Sequence, residues 1–192
     1  MARKFFYICA GMLMLAGATT GGAQTIVPWG DGGYRYCFCE APVSQTSPSY
    51  DDSGMPVTAA PFTVNINGCN YAEYGPHTTW NQIQPLFVRK SFTLPGAVSD
   101  VRLHLAASPI LDIYINGHWL CHMVQQGCGT REGLVVALPD FFLQSGTNVI
   151  AIQAYGNGGG IFSAPVLDMA VTASGAVPSN RSTWSEVKAR YR

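Results

Sequence analysis

Residues 101–117 have the sequence VRLHLAASPILDIYING, and this stretch decides the fold class. Apolar residues occupy every second position in two runs: Val101, Leu103 and Leu105, then Leu111, Ile113 and Ile115. A period of two is typical of strands that bury one face. Asn116 and Gly117 follow the second run, and because both residues tolerate positive φ they predict a two-residue hairpin turn.

Similar strand patterns lie on both sides of this stretch. They cover residues 34–39, 62–66, 86–94, 134–138, 148–155 and 166–172. Between residues 86 and 172 the connections are short and turn-like, and no helical period interrupts the series. Only 11% of the residues are charged, which also favours strands over helices. The sequence therefore predicts an all-β chain, closed as an antiparallel β-sandwich or jelly roll. The residues expected between its two sheets are Leu103, Leu105, Ile113, Ile115, Val149, Ile152 and Val171.

Three segments resemble, in their order along the chain, the galactose-binding-like β-sandwich found in sugar-binding domains of β-galactosidases and other glycoside hydrolases. They are LFVRKSFTLP at 86–95, DIYING at 112–117 and LQSGTNVIAI at 143–152. Upstream, YDDSG at 50–54 is similar to the entry into the family's first strand, so the resemblance covers residues 50–172. It implies a fold more than a function, because packing and turn residues are kept whether a member binds sugar, binds protein or spaces domains apart.

The two ends of the chain differ from this central part. Arg3 and Lys4 precede an apolar run that ends in small residues, which predicts a cleavable signal peptide over residues 1–23, cut after Ala23 or after Ala18. We therefore expect a secreted or extracellular protein, or a periplasmic one, with no membrane span after cleavage. Residues 24–49 form an irregular, cysteine-containing segment. In the tail, 173–192, Thr183 and Glu186 have the spacing of a capping box and predict a short helix.

Charge and catalytic motifs exclude several functions. Eleven basic residues balance eleven acidic ones, so nothing indicates nucleic acid or an anionic membrane as a partner. No acid and base pair stands out by its spacing, and no serine lies in a nucleophile elbow. We expect a protein that is not an enzyme.

Five cysteines remain after the signal peptide: Cys37, Cys39, Cys69, Cys121 and Cys128. Exported cysteines usually pair. Cys121 and Cys128 enclose a short, glycine-flanked segment and are expected to form one disulfide bond. Cys69 is then expected to pair with either Cys37 or Cys39, which leaves one cysteine over.

The resemblance also implies where a sugar would bind, because sites in this fold usually lie on loops at one end of the sandwich. There an aromatic face stacks on the sugar ring and polar groups bind its hydroxyls. The candidate residues are Trp119, Trp80, Tyr74, His77, His118 and Tyr155. The alternative is that Trp80 and Trp119 cap the ends of the hydrophobic core, as buried tryptophans often do.

The sequence also contains residues that could form two metal sites, one for calcium and one for zinc. Asp51 and Asp52 are candidates for a structural calcium site, the alternative being two solvated acids at a turn. His118, Cys121, His122 and Cys128 include zinc-ligand types, but their spacing matches no strong zinc pattern and a disulfide is the simpler fate of the cysteines.

Two functions from different classes fit these observations. The first is a secreted, non-catalytic module that binds a glycan or glycoconjugate through loop aromatics. The alternative is a structural subunit of an extracellular assembly, such as a filament, coat or surface layer. Its terminal segments and odd cysteine would link it to copies of itself or to another extracellular protein.

Overall fold

A computed structural model describes residues 23–63, 78–80, 83–94, 98–108, 110–125, 129–131, 133–156 and 165–174. Within these ranges the chain forms strands and 3-10 turns, the latter at Val43–Thr46 and Asp140–Phe142, and no α-helix. The strands are β1 (Ala23–Val27), β2 (Tyr34–Cys37), β3 (Val57–Thr58), β4 (Phe62–Thr63), β5 (Thr78–Thr79), β6 (Leu86–Leu94), β7 (Ser99–Ser108), β8 (Ile110–Ile115), β9 (His118–Val124), β10 (Leu134–Ala137), β11 (Gly146–Tyr155) and β12 (Val166–Ser174).

The strands form two sheets, and the predicted β-sandwich is confirmed. In the first sheet the order is β10-β7-β12-β4-β5, with β1 also paired to β12. In the second sheet the order is β3-β2-β6-β11-β8-β9. The described pairings are antiparallel except for the parallel pair of β4 and β5. Strand β9 lies at one edge of the second sheet.

The core between the sheets follows the alternation seen in the sequence. Six of the seven predicted core residues belong to one buried cluster: Leu103, Leu105, Ile113, Ile115, Ile152 and Val171. Val149 is buried as well, but the prediction that it faces the core is wrong. Its neighbour Ile150 is in the core cluster, and adjacent side chains of a strand point to opposite faces, so Val149 lies on the outer face of the second sheet.

That outer face is buried because residues 38–53, here called the covering segment, cross it. Gln153 on β11 donates to the carbonyl of Cys39 at 3.0 Å and accepts from the amide of Ala41 at 2.9 Å. Arg89 on β6, also buried, donates to Asp52 at 2.8 Å and to backbone carbonyls of the segment. The outer face therefore becomes a second, smaller interior over β6 and β11.

The outer face of the first sheet is covered in a similar way by residues 129–131. A Cβ on Gly129 would lie 2.6 Å from the carbonyl oxygen of Ala107, so only glycine fits there. Arg131 reaches the buried carboxylate of Asp168 at 3.3 Å, and the amide of Gly30 donates to the same carboxylate at 3.1 Å. Burial nevertheless raises the pKa of Asp168, against the lowering effect of these two partners.

Three expectations concern the two ends of the chain: where the tail begins, the C-terminal helix and the signal peptide. Strand β12 runs to Ser174, so the first two residues assigned to the tail belong to the first sheet. The predicted C-terminal helix has no support from the structure, and its residues lie outside the described ranges, as does the signal peptide except for Ala23. Among the described residues, no helix has the length and apolar character needed to cross a membrane.

The cysteine pairing differs from the expected one. Cys37 and Cys39 form a disulfide bond with each other, their Cα atoms 5.4 Å apart. Neither is then left for Cys69, and the expectation that Cys69 pairs with one of them is wrong. The physical reason is local: the chain bends at the end of β2, where the covering segment begins, and this brings both side chains together. Cys69 and Cys128 lie outside the described ranges, so the Cys121–Cys128 bond stays a prediction.

Candidate functional site

The hairpin of β8 and β9 fixes the geometry of the candidate site. Asn116 and Gly117 both have positive φ, 50° and 84°, as the predicted turn requires. The Asn116 side chain donates to Asn148 Oδ1 at 2.8 Å and accepts from the amide of Val149 at 2.8 Å, which ties the turn to β11. The two-residue turn places Tyr114 directly opposite Trp119.

Beyond this pair the register shifts. Leu120 is an extra residue in β9, so Ile113 pairs with Cys121 and Asp112 with His122. Cys121 is consequently buried against the core, while His122 is exposed on the outer face. On β11, Tyr155 and Gln153 share that face with Asp112, since Gln153 pairs with Asp112 and Tyr155 with Ile110.

Five residues therefore share the outer face of β8, β9 and the end of β11, beside the covering segment. We call them the outer-face site: Asp112, Tyr114, Trp119, His122 and Tyr155. Trp119 is 46% exposed, and Tyr114 and Tyr155 are half-buried. Directly opposed residues of an antiparallel pair have Cβ atoms about 5 Å apart, so the Tyr114 and Trp119 side chains leave the sheet from neighbouring positions. The arrangement is an open aromatic surface with polar groups along one side.

The polar groups of this surface have defined roles. Asp112 Oδ1 lies 2.8 Å from His122 Nδ1. A carboxylate only accepts, so His122 donates from Nδ1 and keeps Nε2 free to meet a ligand. Burial raises the pKa of Tyr114, and the charge of Asp112 adds to the effect. Burial likewise raises the pKa of Tyr155, with further contributions from Asp112, Glu40 and Tyr114. Both phenols stay protonated at neutral pH and offer hydroxyl groups that donate and accept.

Of the described residues that were predicted to bind sugar, Trp119 and Tyr155 lie on the same outer face, separated by four residues in the register of β8 and β11. Trp80 is fully buried in the core, where its Nε1 donates to the carbonyl of Gln84 at 2.9 Å. For Trp80 the prediction of a sugar platform is wrong, because a buried indole offers no face to a ligand. His118 lies on the other face of β9 and stacks on Phe142, with ring centroids 4.9 Å apart. Tyr74 and His77 lie outside the described residues.

Sequence reasoning missed Tyr114 and Asp112 and considered His122 only as a zinc ligand. The signal for Tyr114 was present, since a two-residue turn at 116–117 necessarily sets residue 114 opposite residue 119. Nothing in the sequence indicated the bulge at Leu120, and without it His122 would not have met Asp112.

The proposed metal sites receive no added ligands. Asp52 binds two guanidinium groups, Arg89 at 2.8 Å and Arg35 at 3.7 Å. Asp51 accepts from the amide of Ser53 at 3.0 Å, and hydrogen bonds from the Ser53 side chain and from this amide lower the pKa of its exposed carboxyl group. In the part of the chain that the structure describes, no three His, Cys, Asp or Glu side chains come together as metal ligands. Calcium at Asp51 and Asp52 stays a prediction, in which the cation would compete with two arginines.

Comparisons with known proteins give a fold. Over 79% of its length this chain matches 18% of a calcium-binding mutant of Bacteroides uniformis β-glucuronidase 2, with 20% identity and a TM-score of 0.56. A glycosyl hydrolase family 2 member from Bacteroides cellulosilyticus matches over 78% of this chain and 20% of its own, with 13% identity and a TM-score of 0.55. The chain has the galactose-binding-like β-sandwich fold.

A third solved structure matches a larger share of this chain. Ruminococcus gnavus β-glucuronidase covers 85% of this chain with 31% of its own, at 11% identity and a TM-score of 0.50. No protein-family model matches the chain, and no curated protein sequence is significantly similar to it. The chain thus spans from about a fifth to a third of the length of these glycosidases.

Proposed function

We propose that this chain is a secreted, non-catalytic module that binds carbohydrate through the outer-face site. The observation that carries the proposal is the exposed Trp119 side chain, which lies opposite Tyr114 on a sheet face that also carries Tyr155. Aromatic rings of this kind stack on the apolar faces of sugars, and the Asp112–His122 pair supplies hydrogen-bonding groups for hydroxyls. The fold, which is also that of a segment of several glycosidases, supports the same assignment.

The non-catalytic part of the proposal rests on the shape and chemistry of the site. Asp112 is hydrogen-bonded to His122, and Glu40, the other carboxylate that acts on Tyr155, is an exposed residue of the covering segment. Glycoside hydrolysis generally needs two carboxyl groups that flank the scissile bond. We propose that a surface with one carboxylate paired to histidine and the other exposed holds a sugar without cleaving it.

The test is Trp119→Ala, assayed for glycan binding and for stability on the same sample. We expect glycan binding to fall at least tenfold, while the free energy of unfolding changes by less than about 1.5 kcal/mol, because nearly half of this side chain is already exposed. Phe141→Ala is the matched control, since Phe141 is an aromatic residue with 79% exposure that is not part of the outer-face site.

Two results would contradict the proposal. One is a parent protein that binds nothing in a broad glycan screen. The other is a Trp119→Ala variant that loses about 3–5 kcal/mol of stability, as expected for a tryptophan whose role is packing.

The second candidate function, a subunit of an extracellular assembly, is favoured by one observation. Among the described strands, β9 pairs only with β8, and it carries exposed Val124 in addition to Trp119. An open edge with apolar side chains is a place where a strand from another chain can add. This alternative predicts self-association, which is considered at the scale of the whole molecule below.

A further inference from the structure

The positive charges of the described residues are all committed to aspartates away from the outer-face site. The ion pairs are Arg35 and Arg89 with Asp52, Lys90 with Asp31, Arg102 with Asp100, and Arg131 with Asp168. These five are the only lysines and arginines between residues 23 and 174. No described lysine or arginine is therefore left to serve the outer-face site.

The site itself carries negative charge. Asp112 pairs only with a histidine among the described ion pairs, and Glu40 of the covering segment is close enough to Tyr155 to act on its hydroxyl group. The sequences that join or follow the strands of the site, residues 125–128 and 156–164, contain no lysine or arginine either. Among the described residues, a ligand that approaches the aromatic rings consequently meets carboxylates and, apart from the His122 imidazole paired with one of them, no basic side chain.

This charge distribution discriminates between classes of sugar. Uronic acids carry a carboxylate, and proteins recognise carboxylates with guanidinium or ammonium groups. Here such a ligand would be repelled. A sugar with a free amino group carries an ammonium ion, which is attracted both by carboxylates and by the faces of tryptophan and tyrosine rings. Neutral sugars stack without gaining or losing from charge.

We propose, on the basis of the proposed function, that the outer-face site prefers amino sugars to neutral sugars and neutral sugars to uronic acids. Asp112 and Glu40 supply the selectivity, and the aromatic rings supply the stacking surface common to all three classes. This preference differs from the glucuronide substrate for which the β-glucuronidases with this fold are named. Two proteins with the same fold therefore need not bind the same ligand.

The experiment compares short oligomers of equal length made of glucosamine, N-acetylglucosamine and galacturonic acid. Binding to the full chain is measured calorimetrically at about pH 6, where a sugar amine carries its proton, at low and at high salt. We expect the glucosamine oligomer to bind about three- to tenfold more tightly than its N-acetylated form, and galacturonate more weakly than both. High salt should reduce these ratios, because screening weakens interactions between exposed charges.

Two variants locate the effect. Asp112→Asn should reduce the preference for glucosamine over N-acetylglucosamine toward unity, whereas Asp100→Asn should leave that ratio unchanged. Asp100 is a fair control because it is an exposed aspartate on the other sheet, and asparagine tolerates its φ of 48°. Together the variants separate a local charge effect from a change in net charge.

The outcomes distinguish this inference from the proposed function. Galacturonate binding that equals or exceeds N-acetylglucosamine binding, and that still depends on Trp119, would overturn the selectivity and leave the carbohydrate-binding function standing. Equal affinity for the amino and neutral oligomers would also overturn it. Absence of binding to these oligomers and to every glycan in a broad screen would overturn both.

Discussion

Trp80 and Trp119 lie in opposite environments, although their sequence surroundings did not separate them. Trp80 is enclosed in the core with its Nε1 hydrogen-bonded, whereas Trp119 stands on an open sheet face. We expect Trp80→Ala to reduce the free energy of unfolding by about 3–5 kcal/mol, because it leaves a large cavity and an unpaired carbonyl at Gln84. Denaturant melts measure this, and a loss below about 1 kcal/mol would contradict the described packing.

Arg89 provides a second residue-scale prediction. Its guanidinium group is buried and serves Asp52 and the carbonyls of Gln45 and Ser47. Arg89→Met keeps most of the side-chain volume but removes the guanidinium donor to the Gln45 carbonyl and leaves Asp52 with Arg35 alone, so we expect a loss of about 3 kcal/mol.

Arg102→Met is the matched control for Arg89. Arg102 pairs with Asp100 at 3.0 Å, but its side chain is 51% exposed, and exposed pairs contribute less than about 1 kcal/mol. Chemical denaturation of both variants measures the difference. Equal losses would mean that Arg89 is not the anchor of the covering segment.

Asp168 predicts a pH dependence of stability. Burial raises its pKa in the folded chain above the unfolded value of about 3.9, so in the range between the two values the folded state binds more protons. Stability from this group is therefore complete below that range and is lost as pH rises through the folded pKa. We expect the stability of the parent relative to Asp168→Asn to fall as pH rises above about 4 and to level off at neutral pH.

Denaturant melts of both proteins across this pH range measure the effect, and groups that titrate alike in both cancel in the difference. A parent that gains stability over the variant as pH rises would show that Arg131 and Gly30 outweigh burial.

At the scale of the element, the β8–β9 hairpin depends on one glycine. Gly117 has a φ of 84°, and a Cβ there would lie 3.4 Å from the Cα of Ser47 in the covering segment. Gly117→Ala is expected to cost about 1–3 kcal/mol, because alanine is strained at this φ, while the added Cβ makes an ordinary contact with Ser47. Gly54→Ala is the control, because nothing lies within 4 Å of its Cβ position. If thermal melts show the two variants alike, the turn does not hold the covering segment.

The β8 core follows directly from the sequence pattern and gives a further prediction. Ile113 is fully buried in the core cluster, so Ile113→Ala should lower the free energy of unfolding by about 2–5 kcal/mol. A loss of less than about half a kcal/mol in a denaturant melt would mean that the phase of this strand is wrong.

The β7, β8 and β11 strands show which parts of the fold the sequence pattern predicts and which it does not. Alternation predicted the core of β7 and β8, and the Asn116-Gly117 turn contained enough to pair Tyr114 with Trp119. The sequence pattern did not predict on which face of β11 Val149 lies. Both faces of that strand are buried, so apolar and polar residues do not alternate along it. The covering segment has no periodicity, and its position depends on distant side chains such as Arg89 and Gln153 that bind its backbone. Long-range contacts of this kind leave no local pattern in a sequence.

For the whole molecule, the division between covered and open surface determines where a ligand can bind. Residues 129–131 cover part of the first sheet, and the covering segment lies over β6 and β11 of the second. The β8–β9 part of the second sheet carries the exposed aromatic surface. The position of the candidate site therefore depends both on the side chains of the β8–β9 hairpin and on the two covering stretches, which bury other parts of the sheet faces.

The oligomeric state decides between the two candidate functions at this scale. The bulge at Leu120 bends strand β9, and bulges protect edges from pairing with another chain. Without Arg3 and Lys4 the chain keeps nine basic against eleven acidic residues, so copies repel each other only weakly. We expect a monomer in light scattering, with and without reductant, since the bulge and not charge opposes association.

Val124→Lys, which places a charge on the exposed end of β9, should leave the mass unchanged. Larger species that this substitution abolishes would contradict the monomer and favour assembly through β9. Larger species that only reductant abolishes would indicate intermolecular disulfide bonds instead.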